Sequence, residues 1–120
     1  MKKKFAIIGT SSSGKSTLCY DVLHRLKMAQ VNADGVLQLD RRFAFDRAKL
    51  ETEIEAQYVF VFNMVVKENE IGLRDGTDVL VSDRSVLDFY AYMEHQYGRV
   101  HHVFEFVMEY CKTYDAIYYL

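Results

Sequence analysis

A chain of 120 residues, half of them hydrophobic and with a formal net charge of −2, is sized for one compact domain with its own core. Acids and bases are mixed along it. This excludes the polybasic footprint of a general nucleic-acid or membrane-surface binder, and no apolar run approaches the roughly 20 residues of a membrane helix. Cys19 and Cys111 form no CxxC pair, which argues against zinc, and the apolar run Phe5–Ile8 falls short of the roughly 7–15 residues of a signal peptide; the reading is a soluble cytoplasmic protein with reduced thiols.

Along the chain, Phe5–Ile8, bounded by lysines and Gly9, reads as a buried parallel strand. Lys15 to about Gln30 reads as a helix with Leu18, Val22, Leu26 and Ala29 on its apolar face. Asp34-Gly35 reads as a break before a second strand, Val36–Leu39, that ends at Asp40. Arg41–Asp46 has no clear period. Arg47 to about Ile71 reads as one long helix with Ile54, Tyr58, Val61, Val65 and Glu68 near one stripe, although Tyr58–Phe62 would suit a strand by composition. Past Gly72 and Asp75-Gly76, Val79–Val81 is a third strand, closed by Ser82-Asp83. Ser85 can cap a helix from Val86 to about Gln96. Gly98 separates it from a helix over His102–Tyr114, and Ala116–Leu120 is a further strand. Strands alternating with helices predict an α/β domain with a parallel sheet.

Gly9-Thr10-Ser11-Ser12-Ser13-Gly14-Lys15-Ser16, followed by Thr17, matches the phosphate-binding loop G-x-x-x-x-G-K-[ST] in full, with a strand before it and an amphipathic helix after it. The glycines allow backbone angles and close approach that a side chain would block, so that the loop's N–H groups form an anion cradle at a helix N-terminus. Lys15 is placed to reach the β- and γ-phosphates of ATP and Ser16 to hold Mg2+. Thr10, Ser11, Ser12 and Ser13 contribute mainly backbone.

The second constellation is Val79-Leu80-Val81-Ser82-Asp83-Arg84-Ser85. In parallel α/β sheets ligands sit beyond the carboxyl ends of the strands, which puts Asp83 on the edge that carries the phosphate loop. A carboxylate there holds Mg2+ or accepts the proton of an attacking hydroxyl; the plainer alternative is a turn residue that caps the next helix. Arg84 either approaches phosphate or pairs with Asp88, four residues on. Asp40, Arg41 and Arg42 follow the second strand in the same way and are candidates for the acceptor, against a solvated charged loop. Phe43, Phe45 and Gln57 read as core or helix residues before they read as base contacts. His101-His102 reads as surface or cap, and Phe104, Tyr110, Tyr114, Tyr118 and Tyr119 as core and interface.

The stretches GTSSSGKST, VLVSDRSVLDFYAY and YDAIYYL together resemble the P-loop kinases of nucleosides and nucleotides, and most closely the NadR-like ATPase/kinase domain of the nicotinamide riboside kinase type. The resemblance runs over most of the chain. It implies a P-loop three-layer sandwich in which Gly9 to Thr17 bind ATP, with Lys15, Asp83 and Arg84 catalytic, Ser16 and Asp83 on the metal, and Asp40 near the acceptor. The function implied is phosphoryl transfer to a small nucleoside or nucleotide-like acceptor. The alternative is a nucleotide-sensing or NTP-hydrolysing regulatory module with no such acceptor. Such kinases continue beyond the strand at Asp115–Leu120 into an arginine-bearing lid, a last strand and a helix, so residues 1–120 are expected to be the N-terminal portion of a longer domain, one that by itself either forms a homodimer through the apolar terminal strand or is poorly soluble, and turns over slowly.

Overall fold

The computed structural model describes residues 2–9, 14–37, 54–74 and 76–120. Within them the order is β1 (Lys3–Ile8), α1 (Lys15–Met28), β2 (Ala33–Val36), α2 (Ile54–Gly72), β3 (Val79–Asp83), α3 (Val86–Tyr97), α4 (His101–Cys111) and β4 (Ala116–Tyr119). The four strands form one sheet in the order β2-β3-β1-β4, and every pair is parallel. This is the α/β architecture expected of a P-loop NTPase. Strands that follow one another in sequence are joined by helices, as parallel pairing requires.

Period-two alternation sorts the strand side chains between two helical layers. Ile7, Ala33 and Val81 pack with Cys19 and Leu23 of α1 on one face. Ala6, Val36 and Leu80 pack on the other with Val61, Met64, Tyr90, Met93, Val103 and Val107 of α2, α3 and α4. The second cluster is the larger core. Each fully buried valine or methionine there contributes on the order of 1.5–3 kcal/mol relative to exposure.

Several elements depart from the sequence reading in detail. The fully buried stripe of α1 is Lys15, Cys19 and Leu23; the expected Val22 and Leu26 pack at its margin against the same cluster, while Leu18 is exposed and Ala29 lies past the helix end. The phosphate-loop lysine sets this phase: Lys15 faces the sheet, so its i+4 and i+8 neighbours do too. In α2 the buried face runs through Gln57, Phe60, Val61, Met64, Glu68 and Ile71, with Tyr58 and Val65 at its margin. The Tyr58–Phe62 run is helical, because a period of 3.6 buries Phe60 and Val61 together where strand alternation would have separated them. Residues 47–53, the expected start of this helix, lie outside the described residues.

Asp34-Gly35 does not break the chain but lies inside β2. Gly35 is required there by proximity. A Cβ at this position would stand 2.8 Å from Leu23 Cδ1 and 3.1 Å from the carbonyl oxygen of Val81 on the paired strand. Asp34 supports the strand from its other face through Arg74, 3.0 Å away. Gly35→Ala should therefore cost about 1–2 kcal/mol, since the Val81 carbonyl belongs to the sheet and cannot yield as a side chain can. A lower melting temperature measures it; an unchanged or raised one would mean that Leu23 repacks freely.

Candidate functional site

The site lies at the carboxyl ends of β1 and β3, which are paired with Ile7 opposite Asp83. Gly9 ends β1 and Gly14 precedes α1. Gly14 takes φ 88°, ψ 13°, the left-handed conformation that costs a residue with a Cβ roughly 1–2 kcal/mol. It leaves the N-terminus of α1 without a side-chain cap, so the helix offers its first N–H groups to a ligand. Lys15 and Ser16 follow as the first two residues of the helix. Lys15 is only 5% exposed. Thr10, Ser11, Ser12 and Ser13, expected to complete the cradle, lie outside the described residues, as do Asp40, Arg41, Arg42, Phe43 and Phe45.

Alternation along β3 brings the catalytic candidates together. Val81 faces α1, Ser82 faces α2, and Asp83 faces α1 again. The Ser16 hydroxyl donates a 2.6 Å hydrogen bond to Asp83 Oδ2. Asp83 is 5% exposed, and its Oδ1 is buried with no hydrogen-bond partner among the described residues. A buried carboxylate oxygen without a donor is costly, and a bound cation is one way to satisfy it. The oxygens of Ser16 and Asp83 are the hard donors that Mg2+ takes, alongside water and phosphate. The residues present therefore fit the metal that a P-loop employs.

Beyond Asp83 the backbone turns sharply. Arg84 has φ 79°, an uncommon conformation for a residue with a side chain, and its N–H donates to the Ile7 carbonyl at 2.9 Å, tying the turn to β1. Ser85 caps α3 as expected, its Oγ accepting from the Leu87 N–H at 3.1 Å. The Ser85 hydroxyl also donates to Asp88 Oδ1 at 3.2 Å, and Arg84 Nη1 lies 3.9 Å from Asp88 Oδ2.

Asp88 does more than pair with Arg84. Its side chain is 9% exposed and accepts a hydrogen bond from the Gly9 N–H, within electrostatic reach of Lys15. Burial pushes its carboxyl up to about 6, against the opposing pull of Arg84, Ser85, Lys15 and Gly9. It is thus a second acid on the phosphate-loop edge. The i,i+4 spacing Arg84–Asp88 was the only sequence signal for it, and that spacing is equally common on solvated helices.

The other candidates fall elsewhere. Gln57 is buried on α2, 1% exposed. His101 and His102 begin α4 on the surface, where His102 stacks on Tyr58 with its Nε2 3.3 Å from the Tyr58 hydroxyl. Tyr114 is buried and Tyr110 half-buried, while Tyr118 and Tyr119 are exposed on β4, an edge strand of the sheet. Both cysteines are free thiols. Burial, helped by Asp83, pushes the Cys19 thiol up to about 12, which makes it packing material and not a nucleophile at neutral pH.

The family described as AAA domain matches residues 4–120. No curated protein matches the chain. No described helix is long and apolar enough to cross a membrane.

Proposed function

The chain belongs to the AAA domain family and carries its nucleotide-binding P-loop, and on that footing we propose that it transfers a phosphoryl group from ATP to a small nucleoside- or nucleotide-like acceptor. The observation that carries this reading is the pair of buried acids on one edge. Asp83 is bound to Ser16, with its other oxygen unpartnered among the described residues, and Asp88 lies against Gly9 and Arg84. A site built to activate water beside a phosphate needs one acid or amide. A second acid paired with a guanidinium, facing the same loop, suits the hydroxyl or phosphate of an acceptor.

Each residue has a part in this scheme. The α1 N-terminus and Lys15 draw charge from the β- and γ-phosphates. Ser16 and Asp83 would hold Mg2+, which when bound neutralises phosphate charge as the transfer proceeds. Arg84 supplies a planar cation to an oxygen of the donor or the acceptor. As the acceptor oxygen bonds to the terminal phosphorus and the bond to the bridging oxygen of ADP breaks, the acceptor proton passes to a carboxylate. Asp83 is in place for this. So is Asp88, which is ionised at neutral pH and more basic than an ordinary aspartate.

A second reading uses the same P-loop without an acceptor: hydrolysis of NTP, or its sensing, by a regulatory module. Acceptor dependence separates the two. With a panel of nucleosides and nucleoside monophosphates, ADP release should rise by at least about tenfold with one class of compound, as expected when binding positions the acceptor for attack. ADP release that no compound accelerates would favour the hydrolytic module. ATP binding without any ADP would reject both.

A further inference from the structure

Away from the phosphate loop, α2 carries a carboxylate that the mechanism above does not use. Glu68 is 2% exposed and fully bonded. Its Oε1 accepts from Lys4 Nζ at 3.0 Å and from the Tyr110 hydroxyl at 2.7 Å. Its Oε2 accepts from Ser82 Oγ at 2.7 Å, and the Tyr114 hydroxyl lies 2.8 Å from Oε2 and 2.9 Å from Oε1. Lys4 Nζ makes two further bonds, to the Tyr110 hydroxyl at 2.9 Å and to Thr113 Oγ1 at 2.7 Å. Burial and the Glu68 charge both push the Tyr114 hydroxyl up, so it stays protonated and donates.

A buried ion pair of this kind is a poor way to gain stability, because apolar side chains of the same volume often do as well or better. Its placement says what else it does. Ser82 is the residue immediately before Asp83. Tyr114, while donating to Glu68, accepts the Val86 N–H at 3.5 Å, and Val86 opens α3 directly after Ser85. One carboxylate therefore holds both ends of the turn Asp83-Arg84-Ser85, directly through Ser82 and through Tyr114 at Val86. Within that turn lie two features that a relaxed chain would discard, the positive φ of Arg84 and a buried Asp83 Oδ1 with no partner among the described residues. Such features persist only where the surroundings over-determine them.

We infer that Glu68 is a positioning residue for the nucleotide site: through Ser82 and Tyr114 it clamps the Asp83–Ser85 turn from the opposite face of the sheet and so fixes the Asp83 carboxylate for the metal. Glu68 touches no ligand itself. The inference rests on the reading that Asp83 serves Mg-nucleotide. Outer partners that orient metal ligands typically contribute about 10–100-fold to metal affinity or activity.

The test measures affinity for a fluorescent ATP analogue with Mg2+ and with EDTA, Mn2+ affinity by EPR, and the melting temperature. It uses wild type, Ser82→Ala and Glu68→Gln. Ser82→Ala cuts one strand of the clamp and leaves the Glu68–Lys4 pair in place, so it serves even if Glu68→Gln folds poorly. The expected result is an approximately tenfold or greater loss of Mn2+ affinity and of the Mg2+-dependent gain in nucleotide affinity, with binding in EDTA unchanged. If Ser82→Ala lowers only the melting temperature and keeps wild-type metal dependence, Glu68 is a structural anchor and the inference fails. If wild type shows no Mg2+-dependent gain at all, the assignment of Asp83 to the metal fails and the positioning role falls with it.

Discussion

Lys15→Ala should lower the affinity for ATP by about 30–150-fold, while adenosine, which lacks the phosphates, binds as it does to wild type. The size follows from losing a charge-assisted contact in a site that excludes water, about 2–3 kcal/mol. Its selectivity follows from position. Lys15 is 5% exposed, at the start of α1 just after the left-handed Gly14, where a bound ATP would bring its terminal phosphates and not its base to the charge. The substitution removes a buried ammonium, and the alanine continues the helix, so the fold should survive. Calorimetry with ATP, ADP and adenosine is the measurement. Equal ATP affinity in variant and wild type would remove the phosphate loop from function.

Asp83→Asn should leave Mg-free ATP binding nearly intact but lower turnover by about 10²-fold or more, the usual scale for losing a general base or a metal-holding acid. The amide can still accept the Ser16 hydroxyl's hydrogen bond on its remaining oxygen. What it would lose is the negative charge proposed to hold Mg2+ and the ability to take a proton. Because its Oδ1 has no partner among the described residues, the substitution breaks no hydrogen bond recorded there, and the variant should still fold. A loss of turnover together with equal or higher stability would mark a site where an unfavourable group is kept for chemistry. Wild-type turnover in the variant would reduce Asp83 to a structural turn residue.

The phosphate loop was legible because its signal is local: fixed spacing, a strand on one side, a helix on the other. Asp83 was legible for the same reason, since an apolar strand points at its own carboxyl end. The boundaries of β2 were not. Asp34-Gly35 has the composition of a turn, and only the approach of Leu23 from a different element explains a glycine inside the strand. Glu68 was placed on the right stripe of α2, but nothing within α2 distinguishes a carboxylate that will meet Lys4, Ser82, Tyr110 and Tyr114. Those partners come from β1, β3, the end of α4 and the segment beyond it, at sequence separations that no periodicity encodes. Asp88 was similarly half-read. Its neighbour Arg84 lies within one helical turn, but its contact with Gly9 crosses the sheet edge.

The two neighbours at the end of β3 also protect the domain against its own misfolding. Ser82 and Asp83 point to opposite layers, one to Glu68 and the other to Ser16. A slip of β3 by a single residue against β1 would exchange their faces. Asp83 would then enter the pocket already filled by the Glu68 carboxylate, two like charges in a space that excludes water, with Lys4 as the ammonium bonded there. A slip in the opposite direction would put Ser82 in the place of Asp83 opposite Ser16, without its charge. Either consequence is unfavourable, and the first adds electrostatic repulsion to the loss of packing by Leu80 and Val81. The acid proposed for the chemistry would thus also serve as a register mark, adding charge repulsion to the hydrophobic pattern that sets a five-residue strand.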